Sequence, residues 1–179
     1  MLKIVLLVLV TVIAVLLVVV VLQPDHFRIA RSATIETPAN IVFDKVNNLH
    51  EWQKWSPWAK LDPNARLTYK GPISGAGAGY EWEGNNDVGA GEMTITESKP
   101  YEVIRFHLDF LRPFEASNTA EFTFVPNGNQ TVVTWSMSGE NNFIGKAFSL
   151  VINCDKMVGG EFDKGLAELK KQSEEAAKK

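Results

Sequence analysis

The chain has 179 residues, 45% of them hydrophobic and 22% charged, with a formal net charge of −3. That length suits one domain with a real core, and a near-neutral balance without a dense basic patch argues against nucleic acid as a partner. The lone cysteine, Cys154, excludes an internal disulfide framework.

Residues 4–22 are apolar except for Thr11. At ~1.5 Å per residue such a run spans roughly 28 Å as a helix, close to the ~30 Å of a bilayer's hydrocarbon core. It ends in VVVVLQPDH, without the small-residue site at which a signal peptide is cleaved. The expectation is an uncleaved anchor over 1–24, which makes a membrane the first partner. Lys3 and the amino terminus flank the run on one side, Arg28 and Arg31 on the other. The count is nearly even, and the positive charge nearest the run lies at its N-terminal end, which orients the following domain outside the cytoplasm.

After Pro24 the sequence alternates. Phe27, Ile29, Ala33 and Ile35 share one phase of a first strand, interrupted by Arg31. Thr37-Pro38 predicts a capped helix start, and Ile41, Val42, Val46 and Leu49 supply the buried stripe of a short helix. Asn48 with Glu51 predicts a second cap of the capping-box kind, opening a short helix that carries Trp52 and Trp55 on one face and stops before Pro57. Trp58 follows on the exit turn.

Six further strands are predicted over 67–70, 78–83, 91–98, 103–110, 116–125 and 131–138, with Asn127-Gly128 turning the last pair. Their apolar phases hold Tyr80, Trp82, Met93, Ile95, Ile104, Phe106, Leu108, Phe122, Phe124, Val133, Trp135 and Met137, with no carboxylate, histidine or lysine among them. A bulge would reverse a strand's phase, and Arg112-Pro113 is the place where one is expected. Ile144, Phe148, Val151, Val158, Phe162, Leu166 and Leu169 then recur at helical spacing, predicting one amphipathic helix of about 28 residues from near Asn142. A polar tail is expected over 173–179. Gly159-Gly160 inside that helix costs about 1 kcal/mol per glycine against alanine, and either makes room for a ligand or lets the helix approach bulky neighbours.

Chemistry-bearing patterns are sparse. GAGAG at 75–79 leads into a strand rather than a helix, so it is no phosphate cradle. His26, His50, His107 and Cys154 have no metal-ligand spacing, and His107 with Asp109 reads as a surface pair. No nucleophile motif occurs. Neither a catalytic residue, a metal nor a cofactor is expected.

The stretches RSATIETPANIVFDKV, WQKWSPW, GAGAGYEWEG with VGAGEMTI, and KMVGGEFDKGLAELK resemble the START-like or SRPBCC superfamily, and more narrowly its bacterial polyketide cyclase/dehydrase and lipid-transport-like proteins. The resemblance spans 26–172 and implies an α+β helix-grip fold: a curved antiparallel sheet of about seven strands, two short helices and a long C-terminal helix, here preceded by one transmembrane helix. The domain is expected over 25–172. The superfamily's apolar cavity between sheet and helix would take a hydrophobic small molecule or lipid. Its expected lining is Trp52, Trp55, Trp58, Tyr80, Trp82, Met93, Phe106, Leu108, Phe122, Trp135, Phe148, Met157 and Gly159. The three tryptophans of WQKWSPW either line the mouth or seal the core beneath the short helices. Two other functions stay open: a cyclase/dehydratase-like enzyme using Tyr80 or His50, and a protein-interaction domain with exposed indoles.

Overall fold

A computed structural model describes residues 1–178. The apolar run forms α1, Leu2–Val21, with a mean hydropathy of 3.7, long and apolar enough to cross a membrane. Every α1 residue but Val20 is exposed. The strands are β1 His26–Ile35, β2 Arg66–Lys70, β3 Gly79–Glu83, β4 Ala90–Lys99, β5 Val103–Arg112, β6 Ala116–Asn127 and β7 Gln130–Glu140. They form one antiparallel sheet in the order β1-β7-β6-β5-β4-β3-β2. Every neighbour from β2 to β7 is joined by a local connection. Only β1 is followed by a long excursion, the short helices α2 (Ala39–Asn47), α3 (Trp52–Trp55) and α4 (Pro57–Leu61), which starts beyond Ile35 and ends at the β3–β4 turn, where Asn85 N donates to Asp62 Oδ2 at 2.7 Å.

Alternation decides which face is covered. The inner face carries Ile29, Ile95, Ile104, Phe106, Phe122, Phe124, Val133 and Trp135, all buried. The outer face carries ion pairs such as Arg66–Glu83 at 3.0 Å and Arg105–Glu121 at 2.6 Å. Exposed pairs of this kind contribute about 0–1 kcal/mol each, so burial of the inner face carries the fold. The Asn127-Gly128 turn forms as expected, with Gly128 at φ 62°. The β4–β5 pairing slips twice, at Thr96 and at Leu111, one residue before the expected Arg112-Pro113. Beyond the first slip Ser98 turns inward, and its Oγ donates to Asn47 Oδ1 at 2.8 Å.

Several local expectations are corrected. α2 starts at Ala39 with Pro38 in the cap position, and the Thr37 hydroxyl is buried without a partner. Asn48 closes α2 instead of opening the next helix, and its Oδ1 accepts from the His50 amide at 3.0 Å. Glu51 pairs with Lys54, so no capping box forms. The single long helix is two: α5, Phe143–Ser149, and α6, Cys154–Ala176. Each has its own asparagine cap, Asn142 Oδ1 accepting from Gly145 N and Asn153 Oδ1 from Lys156 N, both at 2.8 Å. α6 runs into the stretch read as tail, with Ser173 buried and Glu174 accepting from the Glu36 amide at 3.0 Å.

Candidate functional site

The space between the sheet and α6 has two parts. Beneath α2–α4 it is filled by aromatic rings. Trp52 and Trp55 are 3% and 0% exposed, with centroids 4.7 Å apart. Trp52 meets Phe106 and Phe122 edge-on at 5.2 and 5.8 Å, and Trp135 stacks on Phe122 at 4.8 Å and on Phe162 of α6 at 4.2 Å. The Trp52 indole donates to Val46 O at 2.7 Å and that of Trp55 to Lys45 O at 3.2 Å, fixing both rings against α2. These tryptophans seal the core; they do not stand at a mouth, and they present no exposed indole patch. The reason is local: α3 is a single turn, so residues three apart must both face the sheet.

Beyond these rings, across β2, β3, the end of β5 and the start of β1, the inner face is only half covered. Tyr69, Tyr80, Trp82, Leu108, Met137 and Phe27 are half-buried and pack on the core, as do Cys154 and Val158 at the start of α6, while half-buried Trp58 packs edge-on against Trp135 and Phe162 at 5.5 and 6.2 Å. Met93 forms the buried floor. Tyr69, Tyr80, Trp82 and Phe110 follow one another across β2, β3 and β5 with centroid spacings of 5.8, 6.1 and 5.7 Å. Trp82 can lie flat over β4 because Gly91 has no side chain: a Cβ there would stand 2.6 Å from its ring. Register puts this half-open part at the end where α1 enters. His26 pairs with Glu140, Phe27 with Gly139, Phe110 with Ala116, and Trp82 with Gly91.

Of the expected lining residues, Tyr80, Trp82, Met93 and Leu108 come together here, and Trp58 lies beside the core rings Trp135 and Phe162. Trp52, Trp55, Phe106, Phe122 and Trp135 belong to the sealed core. Phe148 and Met157 point outward, 43% and 53% exposed. Gly159 is explained by Arg31, the residue that broke the first strand's apolar phase. A Cβ at Gly159 would fall within the Arg31 guanidinium. That guanidinium crosses from β1 to α6, meeting Asp155 at 2.9 Å and Asp163 at 3.4 Å. Nothing lies within 4 Å of a Cβ at Gly160. Tyr69, Phe110 and Phe27 are further members; their phase in the alternation is the signal that marks them.

Polar groups near the half-open part are few. Burial, with Tyr69 close by, pushes the Tyr80 phenol above its ordinary range, so it stays protonated. His50 stacks on Tyr69 at 3.8 Å on the exposed side. Arg31 holds Asp155 below the ordinary carboxylate range. Of the three buried indoles only Trp135 has an N–H without a partner. His107 pairs with Asp109 at 3.0 Å on the outer face. Among the described residues no group of three His, Cys, Asp or Glu side chains converges to hold a metal ion. Depressions of about 280 and 250 Å³ lie on the outside, one along the polar face of α6 and one between α4 and α6.

A seven-stranded antiparallel sheet closed over a long C-terminal helix defines the helix-grip class. Within it, the chain belongs to the family described as polyketide cyclase / dehydrase and lipid transport, which matches over residues 26–174. No curated protein matches the chain by sequence. Protein CV1439 from Chromobacterium violaceum is similar in fold, with 14% identity and a TM-score of 0.59 over 85% of this chain and 99% of that one. Ginseng major latex-like protein 151 from Panax ginseng gives 12% and 0.60 over 84% and 99%. The di-domain ARO/CYC StfQ from the steffimycin biosynthetic pathway gives 11% and 0.62 over 86% of this chain and 52% of its own length.

Proposed function

We propose that the protein is a membrane-tethered binding module for a lipid or other hydrophobic small molecule, anchored through residues 4–22. The observation that carries this reading is the half-covered aromatic face of Tyr80, Trp82, Leu108, Phe110 and Met137 at the end of the sheet where α1 joins β1. An apolar molecule leaving a bilayer would meet that face first. Its gain on burial is about 25 cal/mol per Å² of apolar surface, which favours a hydrocarbon or ring system over a polar metabolite. The start of α6 would close over it, and the Tyr80 hydroxyl, held protonated, would donate to a carbonyl or carboxylate at its polar end. The aromatic core beneath α2–α4 would set the depth of the site. The charge flanking α1 supports a domain on the extracytoplasmic side.

The test uses the full chain in detergent and dibromostearate, whose bromines quench tryptophan on contact. Saturable quenching that is lost in Leu108→Glu, which puts a carboxylate on the half-open face without adding a tryptophan, is the expected result. Quenching that rises without saturation, identically in both proteins, would count against the site.

A further inference from the structure

α5 is built inside out for a helix on a water-soluble domain. Phe143, Ile144, Phe148 and the following Val151 fall within about 140° of one helical face. That face points away from the protein: Ile144 is 63% and Val151 86% exposed. The side turned to the protein carries Lys146, buried and paired with Asp25 in the α1–β1 junction. A soluble domain would bury the apolar stripe and expose the lysine. The inverted order fits a helix whose outer neighbour is hydrocarbon.

Position supplies the second observation. Four residues, Leu22 to Asp25, separate α1 from β1, a reach of at most roughly 14 Å. α5 is held at that junction by more than Lys146. α1 packs against α5, Asn141 N donates to Asp25 O at 2.7 Å, and Asn141 Nδ2 donates to Pro24 O at 3.3 Å. The β5–β6 hairpin leaves the sheet at the same end, since Phe110 pairs with Ala116 and Asn118 with Gly139 beside the His26–Glu140 pair. It begins two strand spacings, about 10 Å, from β1 and presents Leu111 and Phe114, both exposed. At the far end of the sheet the exposed apolar residues Ile73, Tyr101 and Val125 lie on separate segments, and Tyr101 packs on Phe43 at 5.4 Å.

From these observations we infer that α5 and the β5–β6 hairpin tip are a second membrane contact: they rest in the headgroup and upper acyl region beside α1, and hold the half-open aromatic face of the sheet against the bilayer. The inference rests on the anchor reading of α1 and adds to it a fixed orientation of the domain. A tether alone would leave the domain free to tumble; a docked α5 would not.

The full chain with Cys154→Ser tests it, carrying one cysteine at a time, Ile144→Cys, Val151→Cys, Phe114→Cys, Val10→Cys in α1 or Asn129→Cys at the far turn. Each is labelled with nitrobenzoxadiazole and reconstituted in phosphatidylcholine–phosphatidylglycerol vesicles with or without doxyl-labelled lipid. Labels at 144, 151 and 114 are expected to emit at shorter wavelength and to lose emission to the doxyl lipid, while 129 does neither. If 144, 151 and 114 behave like 129 while 10 is quenched, the anchor stands and the second contact is overturned. If 10 is also unquenched, the anchor reading fails with it. Shorter-wavelength emission at 144 that resists doxyl quenching and grows with protein density would mean that a second copy covers the patch, and that too overturns the inference.

Discussion

Two glycines on α6, five residues apart, should respond in opposite directions to the same substitution. A Cβ at Gly160 meets nothing within 4 Å, so Gly160→Ala gains the helix-interior advantage of alanine, about 1 kcal/mol. A Cβ at Gly165 would lie 2.7 Å from Trp135 Cζ3 and 3.1 Å from Pro57 Cδ. Neither neighbour can retreat easily. Trp135 is 2% exposed and stacked on Phe162 at 4.2 Å, and Pro57 is a buried ring at the start of α4. Overpacking of this kind costs about 1–3 kcal/mol, which cancels or exceeds the helical gain. The two variants of the full chain in detergent should therefore differ by about 1–3 kcal/mol, with Gly160→Ala the more stable. At about 2–4 °C per kcal/mol for a domain of this size, a thermal melt followed by tryptophan fluorescence resolves the difference. Equal stabilisation by both would refute the close approach of α6 to the aromatic core.

Other predictions follow from the same geometry. Trp55→Ala removes a fully buried ring and its hydrogen bond to Lys45 O and should destabilise by about 3–5 kcal/mol in urea unfolding. Trp82→Ala, on the half-open face, should cost less and weaken dibromostearate quenching instead. Because Arg31 depresses the Asp155 carboxyl in the folded chain, that pair contributes fully above the ordinary 3.8 and is lost as pH falls through the lower folded value. An NMR titration of Asp155 should move up towards 3.8 in Arg31→Leu; an unchanged midpoint would place the pairing elsewhere. An alkaline phosphatase fusion at the C-terminus should be active, and a fluorescent-protein fusion that matures only in the cytoplasm should be dark. The reverse pattern would put the domain inside.

The sheet was legible because each of its strands has one wet and one covered face, so alternation in the sequence maps directly onto burial. The apolar phase holding Phe106, Phe122 and Trp135 needed no further information. What periodicity could not convey is which partner covers an apolar stripe. Phe148 and Val151 keep the helical spacing of Phe162 and Leu166, yet the first pair faces outward and the second packs on the sheet. The chain also breaks between them, at an asparagine cap that the continuing apolar spacing conceals. Arg31 was visible as an interruption but not as a clasp, because Asp155 and Asp163 lie far away in sequence. The tryptophans of WQKWSPW fell to the core because α3 turns back after one turn, a tertiary fact that their spacing does not contain.

The binding reading meets its most direct test in a photocrosslinking experiment on the full chain in its native membrane. Benzoylphenylalanine at Leu108, on the half-open inner face, should become covalently joined to an apolar small molecule detectable as a discrete mass increment. The same group at Thr94, exposed on the outer face, should not. No adduct at 108, or the same adducts at 108 and 94, would contradict the account.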